Sequence, residues 1–299
     1  MKRISIFYPV IIFAIVLWGC TKPNNNTTVT KSSVAVSIRP IDTTANYNDS
    51  ISFTVVTSSN NPLSTAKFTQ SINGGAATAI GKTITLTNLT ERVKMEYHVP
   101  AGTPGKIKLT CTVTDATGNS DTASATITVL PDYNTYSTVL LANYNDVSGK
   151  GSFFSAENGL VYSKTTAAVA ANQKLIDMIF FYDATNLYSL AAPADAIFGT
   201  KSGQISADNV QIWTFKNNTN FYTSTLTDFT SIHQAADIAA ALNGGSTFTP
   251  ATRASALTVG QIIVFFTEGG KYGLAQIAQA SGGDASGNGA LTINVLMQK

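Results

Sequence analysis

Gly105-Lys106-Ile107-Lys108-Leu109-Thr110-Cys111-Thr112-Val113-Thr114-Asp115-Ala116-Thr117-Gly118-Asn119-Ser120, followed by Ala123-Ser124-Ala125-Thr126-Ile127-Thr128-Val129, decides the fold of the first half of the chain. Ile107, Leu109, Cys111 and Val113 recur at every second position with Lys or Thr between them, the pattern of a strand that buries one face. Asp115 to Asn119 concentrates turn-forming residues between two such runs and predicts a hairpin. Working outward, Val34 to Ile38, Ile51 to Val55, Ile84 to Leu86 and Val93 to Val99 alternate in the same way. Pro40, Asn73-Gly74-Gly75 and Pro104-Gly105 punctuate them. Short strands at this spacing, without helical periodicity, predict an antiparallel β-sandwich over residues 34–130.

The hairpin from Gly105 to Val129, with its Asp115-x-x-Gly118-Asn119 turn, resembles the last hairpin of bacterial Ig-like domains, including the PKD-like group. The resemblance implies a spacer or interaction module. The paired Cys and the Trp of antibody domains are absent. Asp115, Thr117, Asn119 and Asp121 alternate like calcium ligands, but the further carboxylates and distal Glu of an EF-type loop are missing, so a structural turn is expected. Cys111 shares the apolar face of its strand and reads as a small core residue.

Leu130 to Asn134 is the expected linker, placed at 131–135, and the pattern then changes. Residues 136–299 read as an α+β domain. Ser137 to Leu141 is a candidate strand, and Gly151 to Phe154 and Leu160 to Tyr162 flank an Asn158-Gly159 hairpin turn. Leu175 to Tyr182 is almost continuously apolar, as in a strand buried on both faces, with Asp177 interrupting it. Thr165 to Gln173 and Ser231 to Leu242 are the expected helices. The second is read with a Ser231/Gln234 capping box and an Ile232, Ala235, Ala236, Ala239, Leu242 stripe. Three strands, Gln261 to Phe266, Tyr272 to Ala278 and Leu291 to Leu296, close the chain. The fold class expected is therefore mainly β, an Ig-like sandwich followed by an α+β domain. Gly151 to Phe154, the Ile176-Asp177 strand and Gly270 to Leu274 together resemble modules of uncharacterised envelope lipoproteins of Bacteroidota, which implies no known chemistry.

At the other end, Lys2 and Arg3 precede an apolar run from Ile4 to Trp18 that ends in Leu17-Trp18-Gly19-Cys20. The run contains Pro9 and is shorter than the roughly 20 apolar residues a spanning helix needs. This segment resembles a bacterial lipoprotein signal peptide, which implies removal of residues 1–19 and acylation of Cys20. Each buried methylene adds about 0.8 kcal/mol to such attachment, so several acyl chains hold where one does not. The polar residues 20–33 then read as a tether. The expected location is the cell envelope, anchored in the outer membrane, with the face left open. Surface-exported lipoproteins of Bacteroidota commonly carry acids just after the lipidated Cys, whereas here the first is Asp42.

Charged residues make up 12% of the chain and the net charge is +2. No Lys/Arg stripe stands out, which argues against nucleic acid as a partner. A hydrophobic fraction of 44% is enough for packed cores. One mature cysteine besides Cys20 leaves no disulfide framework. Nucleophile elbows, His-Glu-x-x-His, Cys-x-x-Cys and phosphate-binding glycine patterns are all missing. The Gly-rich stretch from Gly282 to Gly289 reads as a hairpin loop. His98 is expected on a solvent face, and His233 with Asp237 on an exposed helix face. Asp177, Asp183, Asp195, Asp208 and Glu268 are carboxylates without a spacing that singles out a catalytic pair.

Trp213, Phe215, Phe221 and Tyr222, interleaved with Lys216, Asn217, Asn218 and Asn220, form the densest aromatic and amide stretch. Such mixtures suit sugar binding, although alternation around Trp213 equally fits core packing. The candidate ligand-binding residues are Trp213, Phe221, Tyr222 and Asp177. Asp42-Thr43-Thr44, Asp49-Ser50-Ile51 and Asp121-Thr122-Ala123 resemble the O-glycosylation sequon of Bacteroidota, making Thr43, Ser50 and Thr122 candidate acceptors. The expectation is a non-enzymatic lipoprotein without cofactor or metal. Its expected partners are the membrane and a glycan or another envelope protein. The alternatives are an adhesive protein and a hydrolase with an unrecognised site.

Overall fold

The computed structural model describes residues 34–143, 150–200, 210–283 and 289–299. Cys20, where an anchor is expected, the expected tether and Asp208 lie outside these residues. The protein is mainly β. Its N-terminal body is an Ig-like sandwich of eight strands: β1 (Val34–Arg39), β2 (Asp42–Ala45), β3 (Ser50–Ser59), β4 (Leu63–Ile72), β5 (Thr78–Thr85), β6 (Thr90–His98), β7 (Gly105–Asp115) and β8 (Ser120–Val129). One sheet has the order β1-β3-β6 and the other β2-β8-β7-β4-β5, all pairs antiparallel except β2 with β8.

The period-two pattern of β7 does what the sequence indicates. Ile107, Leu109, Cys111 and Val113 are fully buried between the sheets, facing Phe53 and Val55 of β3 in one apolar cluster. Burial pushes the Cys111 thiol up to about 11, so it behaves as an inert core group. Asp115 closes the β7–β8 turn. Its carboxylate accepts from the main-chain N–H groups of Thr117 and Asn119, both at 2.9 Å, and from the Asn119 and Asn61 amides. Those donors occupy the oxygens that a calcium ion would need.

Strand β9 (Tyr133–Ala142) begins inside the expected linker and pairs with the end of the chain, Tyr133 opposite Gln298. Only Leu130 to Asp132 therefore separates the strands of the two bodies. The second body stacks two five-stranded antiparallel sheets. The first contains β10 (Phe153–Phe154), β11 (Val161–Tyr162), β12 (Met178–Asp183), β13 (Leu187–Ala191) and β15 (Arg253–Ala254), in the order β11-β10-β12-β13-β15. The second contains β14 (Asn220–Thr223), β16 (Ile262–Phe266), β17 (Tyr272–Gly282) and β18 (Gly289–Gln298), in the order β14-β16-β17-β18-β9.

The continuous apolar runs are buried on both faces, as two stacked sheets with outer coverings require. In β12, Met178 and Phe180 enter the cluster between the sheets, while Ile179 and Phe181 enter an outer cluster with Phe198 and Trp213. In β16, Ile263 and Phe265 face inward, and Ile262 and Val264 face outward onto Ile238 and Ala241.

The helices are shorter than the sequence suggests: α1 (Lys164–Ala167), α2 (Ala170–Gln173), α3 (Ile197–Thr200) and α4 (Ala235–Ala240). The expected helix at Ser231 to Leu242 starts at Gln234 instead of Ser231. Gln234 is extended, and its capping-box partner is Asp237. Asp132, from the junction between the bodies, accepts from Ala235 N–H at 2.7 Å and fixes that start from a distance. No helix among the described residues is long and apolar enough to cross a membrane.

Candidate functional site

Asp177 immediately precedes β12, where the chain turns from α2 into the sheet. Its own N–H donates to Phe154 O at 2.9 Å, which brings the β10–β11 turn alongside. Ala156 N–H in that turn donates to Asp177 Oδ2 at 2.7 Å. A second loop, residues 214–217, is held by Gln173. Its buried side-chain carbonyl accepts from Thr214 and Phe215 N–H at 3.0 and 3.2 Å. That loop delivers Asn217, whose amide donates to Lys174 O at 2.9 Å and also hydrogen-bonds the Asp177 carboxylate. The third contributor is the β16–β17 turn, closed by Thr267 N–H donating to Lys271 O at 3.0 Å. Glu268 in this turn accepts from Asn218 N–H at 2.6 Å and ties it to the second loop.

Between these loops lies a cavity of about 360 Å³, within the range of small-ligand sites. Its charged lining is Asp177, Glu157 and Glu268 with Lys174 and Lys271, joined by Asn217. Asp177 is buried, whereas Glu157, Glu268 and Lys174 are exposed at the mouth. Burial pushes the Asp177 carboxyl up to about 6. The Ala156 N–H opposes this, Glu157 adds to it, and Asn217 opposes it. Near neutral pH the site therefore exchanges a proton easily and presents carboxylates, ammonium groups and an amide to a polar ligand.

The aromatic platform expected from Trp213, Phe221 and Tyr222 does not assemble. Trp213 follows a 3-10 turn (Val210–Ile212), not a strand, and packs on Phe153 with ring centroids 5.5 Å apart in the outer cluster. Phe221 is fully buried between the sheets. Tyr222 packs under α4. Alternation along β14 sends Phe221 and Tyr222 to opposite faces, and Trp213 is needed to cover β12, so three neighbouring aromatics serve three different cores. Phe215 is exposed. Asp177 alone of the four candidates lines the cavity. Sequence reading passed over Glu157, Lys174 and Lys271, because the loops that bring them together are far apart in the chain.

The remaining candidates have structural partners. Asp183 accepts from Thr185 and Asn186 N–H at 2.8 and 2.7 Å. Asp195 accepts from Ile197 N–H at 2.8 Å and lies 3.7 Å from the Arg253 guanidinium. Asp237 accepts from the main-chain N–H of His233, so this pair caps a helix and does not juxtapose an imidazole with a carboxylate. His98 is exposed with Nδ1 2.7 Å from Ser50 Oγ. Thr43, Ser50 and Thr122 lie on β2, β3 and β8, with Ser50 and Thr122 exposed and Thr43 half-buried. No group of three or more His, Cys, Asp or Glu among the described residues is arranged to hold a metal ion.

No family profile and no curated protein matches the chain in sequence. Solved structures resemble it at low scores. A chain from a study of T cell specificity and activation by the bacterial superantigen toxic shock syndrome toxin-1 is 10% identical, with 32% of this chain and 99% of that chain covered, at a TM-score of 0.27. The CARDB domain of a Pyrococcus furiosus protein is 16% identical over 32% of this chain and 91% of its own, at a TM-score of 0.24. A marsupial T cell receptor is 12% identical over 89% and 88%, at a TM-score of 0.24.

Proposed function

We propose that the protein is a membrane-anchored envelope lipoprotein that binds a small polar ligand of the glycan class in the cavity around Asp177, without transforming it. The Leu17-Trp18-Gly19-Cys20 sequence supports the anchor. The Ig-like body then stands between the tether and the binding body as a spacer. The observation that carries the binding role is the convergence on one cavity of Asp177, Glu157, Glu268, Lys174, Lys271 and Asn217 from four separate segments of the chain. Carboxylates and amides accept and donate paired hydrogen bonds to vicinal hydroxyls, and the two ammonium groups offset the acidic charge. The test is a glycan array probed with the full chain. Binding that is lost in Asp177→Ala and Glu268→Gln supports the reading, and an array without signal overturns it. Metabolic labelling with an alkynyl fatty acid, abolished by Cys20→Ser, tests the anchor separately.

One observation favours hydrolysis as a second reading. The Asp177 carboxyl is pushed up to about 6 and shares its cavity with Glu268, the environment a general acid needs. Reducing-sugar release from an array-positive glycan, lost in Asp177→Asn, supports hydrolysis; binding without release supports the first reading.

A further inference from the structure

The N-terminal sandwich is closed on one side and open on the other. On the closed side the chain passes from β1 to β2 and so changes sheet, and β1 packs against β8. On the open side, β5 and β6 are the outer strands of their sheets, each with a single hydrogen-bonded neighbour. Strand β5 also leaves the regular ladder there. Ala66 pairs with Ile84 and Phe68 with Ile80, so four positions on β5 span two on β4. Gly81, at a φ of +67°, lies in the resulting bulge. Between the two edges lies a groove of about 530 Å³.

The floor of the groove is apolar: Phe68, Ile80, Ile84, Met95 and Tyr97 line it and belong to or pack against the sandwich core. Tyr97 donates its hydroxyl to Gln70 Oε1 at 2.5 Å, so the polar groups at the base are paired with each other. The other polar lining groups are Lys82, Lys94, Glu96 and His98, all exposed. Among the described residues Lys82 and Lys94 make no ion pair with a carboxylate. His98 is engaged with Ser50.

We propose that this groove binds a single-chain anionic amphiphile, a fatty acid, with its hydrocarbon between β5 and β6 and its carboxylate at Lys82 and Lys94. An extended peptide added to the β6 edge would be held by main-chain hydrogen bonds and would not need paired cations over an apolar floor. An acyl chain uses the floor for burial and the lysines for charge. Both lysines outnumber the one carboxylate at the mouth, so the local charge complements an anion.

The experiment uses the full chain in phospholipid vesicles with a photoreactive diazirine fatty acid, irradiation, digestion and mass spectrometry. The expected cross-links fall in residues 78–85 and 90–98. The exposed double variant Lys82→Ser/Lys94→Ser is expected to reduce them about tenfold, and the matching fatty alcohol to label about tenfold less than the acid. Cross-links dispersed over the chain, equal labelling by the alcohol, or labelling unchanged in the double variant each overturn the proposal.

Discussion

Asp177 Oδ2 and the main-chain N–H of Ala156 are joined by a 2.7 Å hydrogen bond that pins the β10–β11 turn to the start of β12 at the cavity wall. The bond favours the carboxylate, yet burial outweighs it and pushes the carboxyl up to about 6 from an ordinary value of 3.8. An acid whose folded value is raised stabilises the fold fully below its unfolded value and loses that contribution as pH rises through the folded one. The stability of the protein relative to Asp177→Asn should therefore fall between about pH 4 and 6. The upper bound is about 3 kcal/mol for a shift of this size. Chemical denaturation of both proteins at pH 4, 5, 6 and 7.5 measures it, and a difference that does not change with pH refutes it.

Gly273 of β17 lies directly opposite Phe265 of β16, and a Cβ at Gly273 would intrude on the Phe265 ring. The ring is fully buried and has no room to retreat. Gly273→Ala should cost about 1–3 kcal/mol by overpacking. A Gly273→Ala/Phe265→Leu double variant should cost less than the sum of the two single changes, as measured in a double-mutant cycle in urea.

The distribution of apolar residues made both kinds of strand legible: β7 alternates with a two-residue period, and β12 and β16 are continuous apolar runs, as strands buried on both faces require. Strand β4 escaped notice for the opposite reason. Its buried residues are Leu63, Ala66 and Phe68, and a register shift between Leu63 and Thr65 breaks the alternation. The start of α4 was misplaced because its donor is satisfied by Asp132, about a hundred positions earlier. Asp177 was visible as a polar interruption of an apolar run. Its partners Glu157, Lys174 and Lys271 were not, and Glu268 stood out only as one carboxylate among several, since only the folded loops place them around one cavity.

Trp213 is 6% exposed and covers Phe153 in the outer cluster. Its replacement is accordingly expected to act on stability. Trp213→Ala should cost about 3–5 kcal/mol, the range for deleting a large buried aromatic. Trp213→Phe keeps part of the packing and should retain ligand binding at wild-type affinity wherever the fold persists. Loss of affinity in Trp213→Phe without loss of stability would restore the aromatic platform.

The junction between the two bodies carries a further expectation. Asp132 accepts from Ala235 N–H at 2.7 Å, Tyr47 of the sandwich donates its hydroxyl to His233 O at 2.7 Å, and Lys299 Nζ donates to Pro131 O at 2.7 Å. Burial, and then the charge of Asp132, pushes the Tyr47 phenol up to about 12, so it stays a donor throughout the ordinary pH range. Only three residues separate β8 from β9, and these bonds draw on both bodies. Asp132→Ala removes the carboxylate from the first N–H of α4, a capping loss of about 1 kcal/mol. Amide exchange should accelerate over 235–241 and leave the β7–β8 hairpin at its original rate. Tyr47→Phe removes the cross-body bond without touching the cap, so the same α4 amides should keep their protection. If Tyr47→Phe accelerates them as much as Asp132→Ala does, the cap is not what fixes the start of this helix.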